Sequence, residues 1–303
     1  MNFAQYVRPG SLREALEVLA AQGPDATLIA GGTDLIPAMR KTRYAPPAAP
    51  TGGRPAPSAS RFLIDVGGLD EIKGIRLDGE VLRLGGATSM AAIATSPLLR
   101  DKVPVLVAAA RSVGSPLVRN RATVGGNLAS ASPSADTAPA LLALDAIVRL
   151  ASAREGERDV PLADFFVGYR ATLLRETEII TDVLIPVPSE RAVGEFRKIG
   201  LRNADAISVV CVAAEMEMEG ATCLKARIAL GAVGPVPLRA LAVENALEGR
   251  QIDAGLAREC ARLVHEQIAP IDDVRGSADY RRWVTESVVA RTILKLAGIE
   301  DEA

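Results

Sequence analysis

Three segments of this chain share one form: an apolar run, two glycines, and a Thr, Ser or Asn close behind. They are "LIAGGTD" (28–34), "LRLGGATS" (82–89) and "TVGGNLAS" (123–130). Adjacent residues without a Cβ can take positive φ and let another group touch the backbone. Such a turn can aim successive N–H groups into one concavity, where an anion, typically a phosphate, is held. One glycine pair after a strand reads as a plain turn. Two pairs from sequence-distant strands, flanked by donors such as Thr33, Thr123, Asn127 and Ser130, raise the case for a ligand between them. The middle pair reads differently: Thr88 or Ser89 follows as the N-cap of a helix through "MAAIATSP", so Gly85-Gly86 is a strand-to-helix turn.

No G-x-G-x-x-G follows a strand and no G-x-x-x-x-G-K-[ST] occurs, so neither a Rossmann site nor a P-loop is supported. A dinucleotide pyrophosphate would have to lie between two glycine turns. Asp136 leaves two readings open. It can cap a helix over 137–144, or it can accept hydrogen bonds from sugar hydroxyls farther along the ligand. A ribityl chain fits the second role, because a carboxylate beside the phosphate itself would be repelled.

The side chains that usually carry chemistry are few. Three cysteines (Cys211, Cys223, Cys260) lie far apart and His265 is the single histidine. That argues against a disulfide framework, a Cys/His metal centre and a four-cysteine iron–sulfur cluster, and no metal ligand is assigned. His265 lies in the helix-like "ECARLVHEQI" and reads as a packed or surface residue, so no catalytic residue is assigned. Enzymatic chemistry would come from a bound cofactor. With a net charge of −2 and no basic block, no nucleic-acid partner is expected. No membrane span is expected, and the start mixes Arg and Glu into a helical pattern unlike a signal peptide. A cytoplasmic protein is the expectation.

Along the chain, "SLREALEVLAAQ" (11–22) reads as a helix with Ser11 as N-cap and Glu14 completing a capping box. "ATLIAGGT" (26–33) reads as a short buried strand. Residues 45–60, rich in Pro, Ala and Gly, are the clearest linker or surface loop. A hairpin turns at Asp78-Gly79, a helical stretch covers 103–115, and 137–152 runs from helix into strand. Residues 176–188 are strand-like, a second hairpin over 206–235 turns at Glu219-Gly220, and helices over 240–268 and 277–297 close the chain. Helices that cluster after a hairpin, instead of alternating with strands, make the C-terminal third α+β.

On "FAQYVRPGSLREALEVLA", "AGGTDLIPAMR", "VRNRATVGGNLASASPSADTAPALLALDA", "TEIITDVLIP", "FRKIGLRNADAISVV" and "DVRGSADYRRWV", the chain resembles the FAD-binding (medium) subunit of the molybdenum hydroxylases, the family of carbon monoxide and bacterial xanthine dehydrogenases. The resemblance runs over nearly the whole chain, in order. It implies an α+β protein: a two-lobed PCMH-type FAD-binding domain over 1–175 (lobes about 1–57 and 58–175), then a C-terminal antiparallel sheet with helices over 176–303. It implies an oxidoreductase subunit with FAD as cofactor. Ala30, Gly31, Gly32, Thr33 and Asp34, with Thr123, Gly125, Gly126 and Asn127, would hold the pyrophosphate. Leu28, Ile29 and Leu35 would line the first lobe's side, and Asp136 would bind the ribityl hydroxyls. Ile180 would face the isoalloxazine and Lys198 would lie near its ring; without the resemblance, Lys198 reads as a surface lysine. Arg119 and Arg121 flank Asn120 and pair with phosphate or hold the loop, the latter being favoured. Tyr280 and Trp283 read as core or subunit interface.

The resemblance also implies partners: a large molybdenum-cofactor subunit and a small 2Fe-2S subunit, in a dimer of heterotrimers. Electrons would leave through FAD to NAD, a quinone or O₂. No cysteine-rich insertion follows the third glycine pair, which speaks against an extra cluster. Two rivals stand beside this reading. One is a free-standing PCMH-type flavin oxidase or reductase; no His or Cys for covalent flavin occurs over 28–40, and no catalytic acid for a reductase is evident. The other is a non-enzymatic adaptor whose glycine turns are structural.

Overall fold

The structure is a computed structural model and describes residues 5–41 and 62–300. The Pro-rich 45–60 segment and the expected lobe boundary near 57 lie outside the described residues. The chain divides into two compact units. The first holds residues 1–92, 116–132 and 147–185, and the second holds 93–115, 133–146 and 186–303.

The first unit contains a small parallel sheet of β1 (Gln5–Val7), β2 (Ala26–Ile29) and β3 (Phe62–Asp65), with β3 in the centre. The helix Leu12–Gln22 covers it, burying Ala15, Leu16 and Leu19 with Ile64, Val66, Leu69 and Ile72. Ser11 caps that helix by accepting from the Glu14 amide at 3.2 Å. The reciprocal half of the expected box is displaced: the Glu14 carboxylate accepts from the Gly10 amide at 2.7 Å, one residue before the cap. β2 differs from the fully buried strand expected, since as an edge strand it is only half-buried along its length.

A second sheet in the same unit is built from β4 (Ile75–Asp78), β5 (Val81–Gly85), β6 (Ile147–Ser152), β7 (Gly156–Pro161) and, after a small hairpin of β8 (Phe166–Gly168) and β9 (Ala171–Thr172), β10 (Ile179–Pro186). Its order is β4-β5-β10-β6-β7. The β4–β5 hairpin turns at Asp78-Gly79 with Gly79 at φ +59, as its sequence requires. Arg83 clamps the buried Asp182 in a two-pronged ion pair, at 2.7 and 2.8 Å, across the sheet.

The second unit is an antiparallel sheet of β11 (Ala192–Gly200), β12 (Ser208–Glu219), β13 (Thr222–Gly231) and β14 (Leu238–Arg239). The expected hairpin turns at Glu219-Gly220, with Gly220 at φ +59. Helices Leu241–Leu247, Ala254–Arg262 and Ala278–Leu296 share one apolar core with β12 and β13. The helix Thr137–Ala143 packs against β13 where Gly231 lacks a side chain: a Cβ there would lie 2.6 Å from Cys211 Sγ and 2.8 Å from Pro139 Cγ. His265 pairs with Glu286 at 2.7 Å. Tyr280 and Trp283 form a tilted aromatic pair with Trp283 66% exposed, which rules out the core reading for them in this chain. Among the described residues no helix is long and apolar enough to cross a membrane.

Candidate functional site

The three glycine pairs, alike in sequence, take on different work in the structure. Of their six glycines only Gly32 has positive φ, at +71. The expectation of consecutive left-handed residues therefore fails for all three pairs, the first keeping a single one. What they share is close backbone approach. A Cβ on Gly31 would lie 2.0 Å from the Arg121 carbonyl oxygen, and one on Gly85 would lie 2.4 Å from the Ile72 carbonyl. One on Gly86 would lie 2.1 Å from the Ile180 carbonyl oxygen, and one on Gly125 2.7 Å from the Gly86 carbonyl oxygen. These four glycines are needed because backbone packs on backbone there.

Amide partners separate the pairs further. The amides of Gly85 and Gly86 donate to Gly74 and Thr181 at 3.0 and 2.7 Å. Ser89 then caps the helix Met90–Thr95 by accepting from the Ala92 amide. The middle pair is thus the strand-to-helix turn its sequence suggests. In the third pair Thr123 is an N-cap, and Val124, Gly125 and Gly126 belong to the helix Val124–Ser130 instead of a loop. Its first amides are all engaged: Val124 with Thr88, Gly125 with Gly86, Gly126 with the Thr123 hydroxyl at 3.1 Å, and Asn127 with the Thr123 carbonyl. The expected row of free N–H groups is absent there, because the helix start is sewn onto the second glycine turn.

The first pair is the open one. β2 ends at Ile29, whose carbonyl accepts from Val66 of the neighbouring strand's exit at 2.9 Å. The chain then turns through Ala30–Asp34 into the helix Leu35–Lys41. Among the described residues, the amides of Gly31, Gly32, Thr33 and Asp34 have no hydrogen-bond partner in the protein. The Gly32 conformation bends this row, with Ile29 and Ile36 side chains lying 3.1 and 3.3 Å from where its Cβ would be. Asp34 is held by Arg170 at 3.4 Å. Leu28 and Ile29 pair in register with Ile64 and Asp65 of β3, and Leu35 opens the helix. Unpaired amides are costly unless water or a ligand satisfies them. A half-exposed turn of four such donors suits an anion.

Ile180 is buried on β10, beside a bulge between Ile180 and Asp182. That irregularity brings its carbonyl against Gly86.

The second unit holds the other two predicted residues, and it brings them together. Asp136 precedes the helix Thr137–Ala143 but makes no side-chain cap bond, so the capping reading is corrected. Its carboxylate accepts instead from Lys198 Nζ of β11 at 2.6 Å and from the Ser208 hydroxyl. Lys198 also donates to the Ser112 carbonyl at 3.0 Å. Burial pushes Asp136 above the ordinary carboxylate value, and Lys198 and Ser208 oppose that shift. Lys198 is therefore a largely buried, ion-paired residue, not the surface lysine its sequence context suggests.

Sequence reasoning missed another glycine pair, Gly67-Gly68 in "LIDVGGL", which also follows an apolar run but has no Thr, Ser or Asn close behind. It follows β3 as Gly31-Gly32 follows β2, and a Cβ on Gly67 would lie 2.9 Å from the Ala30 carbonyl oxygen. A cleft of about 670 Å³ opens beside these turns, lined in part by Arg8, Asp65, Lys73, Ser89 and Arg121.

Known proteins place this geometry. Residues 1–50 and 54–188 match the family described as the FAD binding domain in molybdopterin dehydrogenase. Residues 195–296 match the CO dehydrogenase flavoprotein C-terminal domain. The carbon monoxide dehydrogenase medium chain of Hydrogenophaga pseudoflava is 31% identical over 289 residues, covering 95% of each chain. A xanthine dehydrogenase FAD-binding subunit of Escherichia coli O157:H7 is 30% identical over 297 residues, covering 96% of this chain and 95% of that one. The solved carbon monoxide dehydrogenase from H. pseudoflava that lacks the Mo-pyranopterin moiety superposes with a TM-score of 0.88 at 32% identity, covering 98% of both chains. Two domain matches in order, near-complete coverage and the same α+β architecture agree: this chain belongs to the FAD-binding medium-subunit family of the molybdenum hydroxylases and is an oxidoreductase subunit.

Proposed function

We propose that the chain is the electron exit of a molybdenum hydroxylase complex, accepting electrons from 2Fe-2S clusters of a small partner subunit and delivering them through FAD to an external acceptor. The observation that carries this is the Gly31–Asp34 turn, whose four amides lack protein partners and so offer an anion a ready set of donors. The residues fit a dinucleotide. The Ala30–Asp34 turn offers unpaired amides, and the missing side chain of Gly126, where a Cβ would meet only the Thr123 hydroxyl, leaves the start of the helix Val124–Ser130 open to a ligand.

In this reading the Ala30–Asp34 turn binds the pyrophosphate oxygens through N–H groups. Thr123 still has its hydroxyl hydrogen to donate, since its oxygen accepts from Gly126, and Gly125, Gly126 and Asn127 complete that side. Leu28, Ile29 and Leu35 supply apolar contact, and Ile180 the surface for the isoalloxazine. Asp136 takes the ribityl hydroxyls as a shared acceptor, because Lys198 and Ser208 already use its oxygens. Lys198 fixes a positive charge that favours the reduced flavin. FAD, when bound, supplies one- and two-electron exchange; this chain binds it, orients it and sets its electrostatics.

Substrate oxidation belongs to a large molybdenum-cofactor subunit, so no residue here touches the organic substrate. The relatives' names range from carbon monoxide to xanthine, consistent with a shared exit behind different substrate sites. The acceptor is NAD, a quinone or O₂, and the assembly a dimer of heterotrimers in the cytoplasm. The test is direct. The purified chain should be yellow with a flavin spectrum, and mass spectrometry of the intact complex should find both partners. Colourless protein that takes up no added FAD overturns the reading.

A further inference from the structure

The cleft beside the glycine turns has a chemistry the flavin reading does not use. It lies at the carboxyl ends of the three parallel strands: Arg8 follows β1, Ala30 follows β2, and Asp65 ends β3 ahead of Gly67-Gly68. In open parallel sheets, crevices at those ends are where ligands bind. Three cations line it, Arg8, Lys73 and Arg121, against one carboxylate, Asp65.

Only part of this charge is neutralised internally. Asp65 is already occupied, accepting from the Tyr6 hydroxyl at 2.5 Å and from the Gly67 amide at 2.9 Å. Lys73 donates to the Gly68 carbonyl and to Asp70, both at 3.1 Å. Among the described residues, neither the Arg8 nor the Arg121 guanidinium has an ion-pair or hydrogen-bond partner. Both line the same cleft. Arg8 lies flat against Gly68, its Nε and one Nη 3.1 Å from where a Cβ would stand. Two fork-shaped donors left unpaired in a cleft suit a planar or tetrahedral anion.

The cleft adjoins the proposed pyrophosphate cradle and shares only its edge. Its lining includes Ala30 and Thr123 but none of Gly31, Gly32, Thr33, Asp34, Gly125, Gly126 or Asn127. The contact between Gly31 and the Arg121 carbonyl closes the backbone between the two.

We propose that this cleft is a second anion site, taking the phosphate of a small phosphate ester. A phosphate monoester carries nearly two charges and three acceptor oxygens on one centre and can satisfy two guanidiniums at once, whereas succinate spreads its two charges over the ends of a chain. A volume of about 670 Å³ exceeds what a bare ion needs and is of ligand size. Ser89 has a hydroxyl hydrogen to donate at the rim, since its oxygen acts as an acceptor within the protein.

The experiment uses the FAD-loaded complex, so that the flavin site is filled. Inorganic phosphate, AMP and succinate are titrated separately, with thermal midpoint and calorimetry as readouts, on wild type, Arg8→Gln, Arg121→Gln and Arg121→Lys. AMP and phosphate should bind, with AMP tighter because the cleft has room for more than the ion. Each Gln variant should weaken AMP by about tenfold or more, Arg121→Lys should lose less, and the flavin-to-protein ratio should stay unchanged in all. AMP without effect on wild type overturns the proposal, as does succinate binding as tightly as phosphate. Loss of flavin from the Gln variants overturns it too, because the cleft would then be part of the flavin site. A complex that lacks FAD but still binds AMP through Arg8 and Arg121 sinks the flavin reading and leaves this one standing.

Discussion

Replacing Gly31 by Ala tests the cradle where it is tightest. The added Cβ would lie 2.0 Å from the Arg121 carbonyl oxygen, whereas ordinary contact begins at 3.4 Å. The obstacle is backbone, so the turn must move by more than an ångström. Overpacking of this kind costs about 1–3 kcal/mol of stability. Flavin binding should suffer more. A hydrogen bond to a charged group contributes about 1.5–3 kcal/mol, and a shift of that size pulls roughly two of the four amides off an anion. The expected loss is about 3–6 kcal/mol, or ~10²–10⁴-fold in FAD affinity. The assay is FAD titration into deflavinated protein, with the flavin-to-protein absorbance ratio of the purified chain as a first look. Gly85→Ala is the control: its Cβ meets the Ile72 carbonyl at 2.4 Å in the turn whose amides are already bonded. It should lower the melting temperature and leave FAD affinity nearly intact. An unchanged dissociation constant for Gly31→Ala, or an equal loss in Gly85→Ala at equal stability, refutes the assignment of the open amides to the pyrophosphate.

Thr123→Ala removes the cap of the helix Val124–Ser130 and should cost about 1 kcal/mol in denaturant unfolding while weakening FAD; Thr123→Ser should restore both. Gly126→Val should abolish FAD retention by blocking backbone approach, since a Cβ there meets only the Thr123 hydroxyl and otherwise points into open space; undiminished flavin content counts against the cradle. Asp136→Ala strands Lys198 in a largely buried position and should cost about 3–5 kcal/mol, part of it recovered by adding Lys198→Met. Glu215 is pushed up to about 7 by burial, despite its 2.8 Å bond to Arg227. Because the folded value is raised, its contribution is complete below about pH 4.5 and is lost as pH rises through 7, a change of about 3 kcal/mol. Glu215→Gln should flatten that decline in urea midpoints measured across the same range.

Elements with strong local signals were readable from sequence. Ser11 and Ser89 stand where helix caps form, and Asp78-Gly79 and Glu219-Gly220 stand where hairpins turn. Each depends on residues within a few positions, so one sequence suffices. What failed depended on distant partners. The Asp136 cap was a sound local expectation, but Lys198 and Ser208, 62 and 72 residues away, compete for the carboxylate and win. Lys198 looked exposed because a strand lysine usually snorkels to the surface, and the carboxylate that holds it inside is 62 residues away in the chain. Residues 123–130 looked like a strand and loop because Gly-Gly disfavours helix. Contacts to Gly86 and Thr88 hold that helix start in place despite the intrinsic cost. Arg8 and Gly67-Gly68 were passed over because a lone arginine acquires meaning only once the parallel sheet sets it beside the exits of β2 and β3.

The three pairs also show why a Gly-Gly motif alone does not identify a binding loop. Gly31, Gly85, Gly86 and Gly125 are all forced by the same constraint, a neighbouring carbonyl where the Cβ would be. That constraint concerns packing and would exist with no ligand at all. What distinguishes a binding turn is the other half of the backbone, the N–H. In the second and third pairs the amides are spent on Gly74, Thr181, Gly86 and Thr123. Only in the first does the same close packing coexist with a run of unused donors. The asymmetry is economical in structural terms, since the second and third pairs bond to each other through Gly86 and Gly125. An anion reaching the first turn would therefore find donors that the protein itself leaves open, which the other two pairs no longer offer.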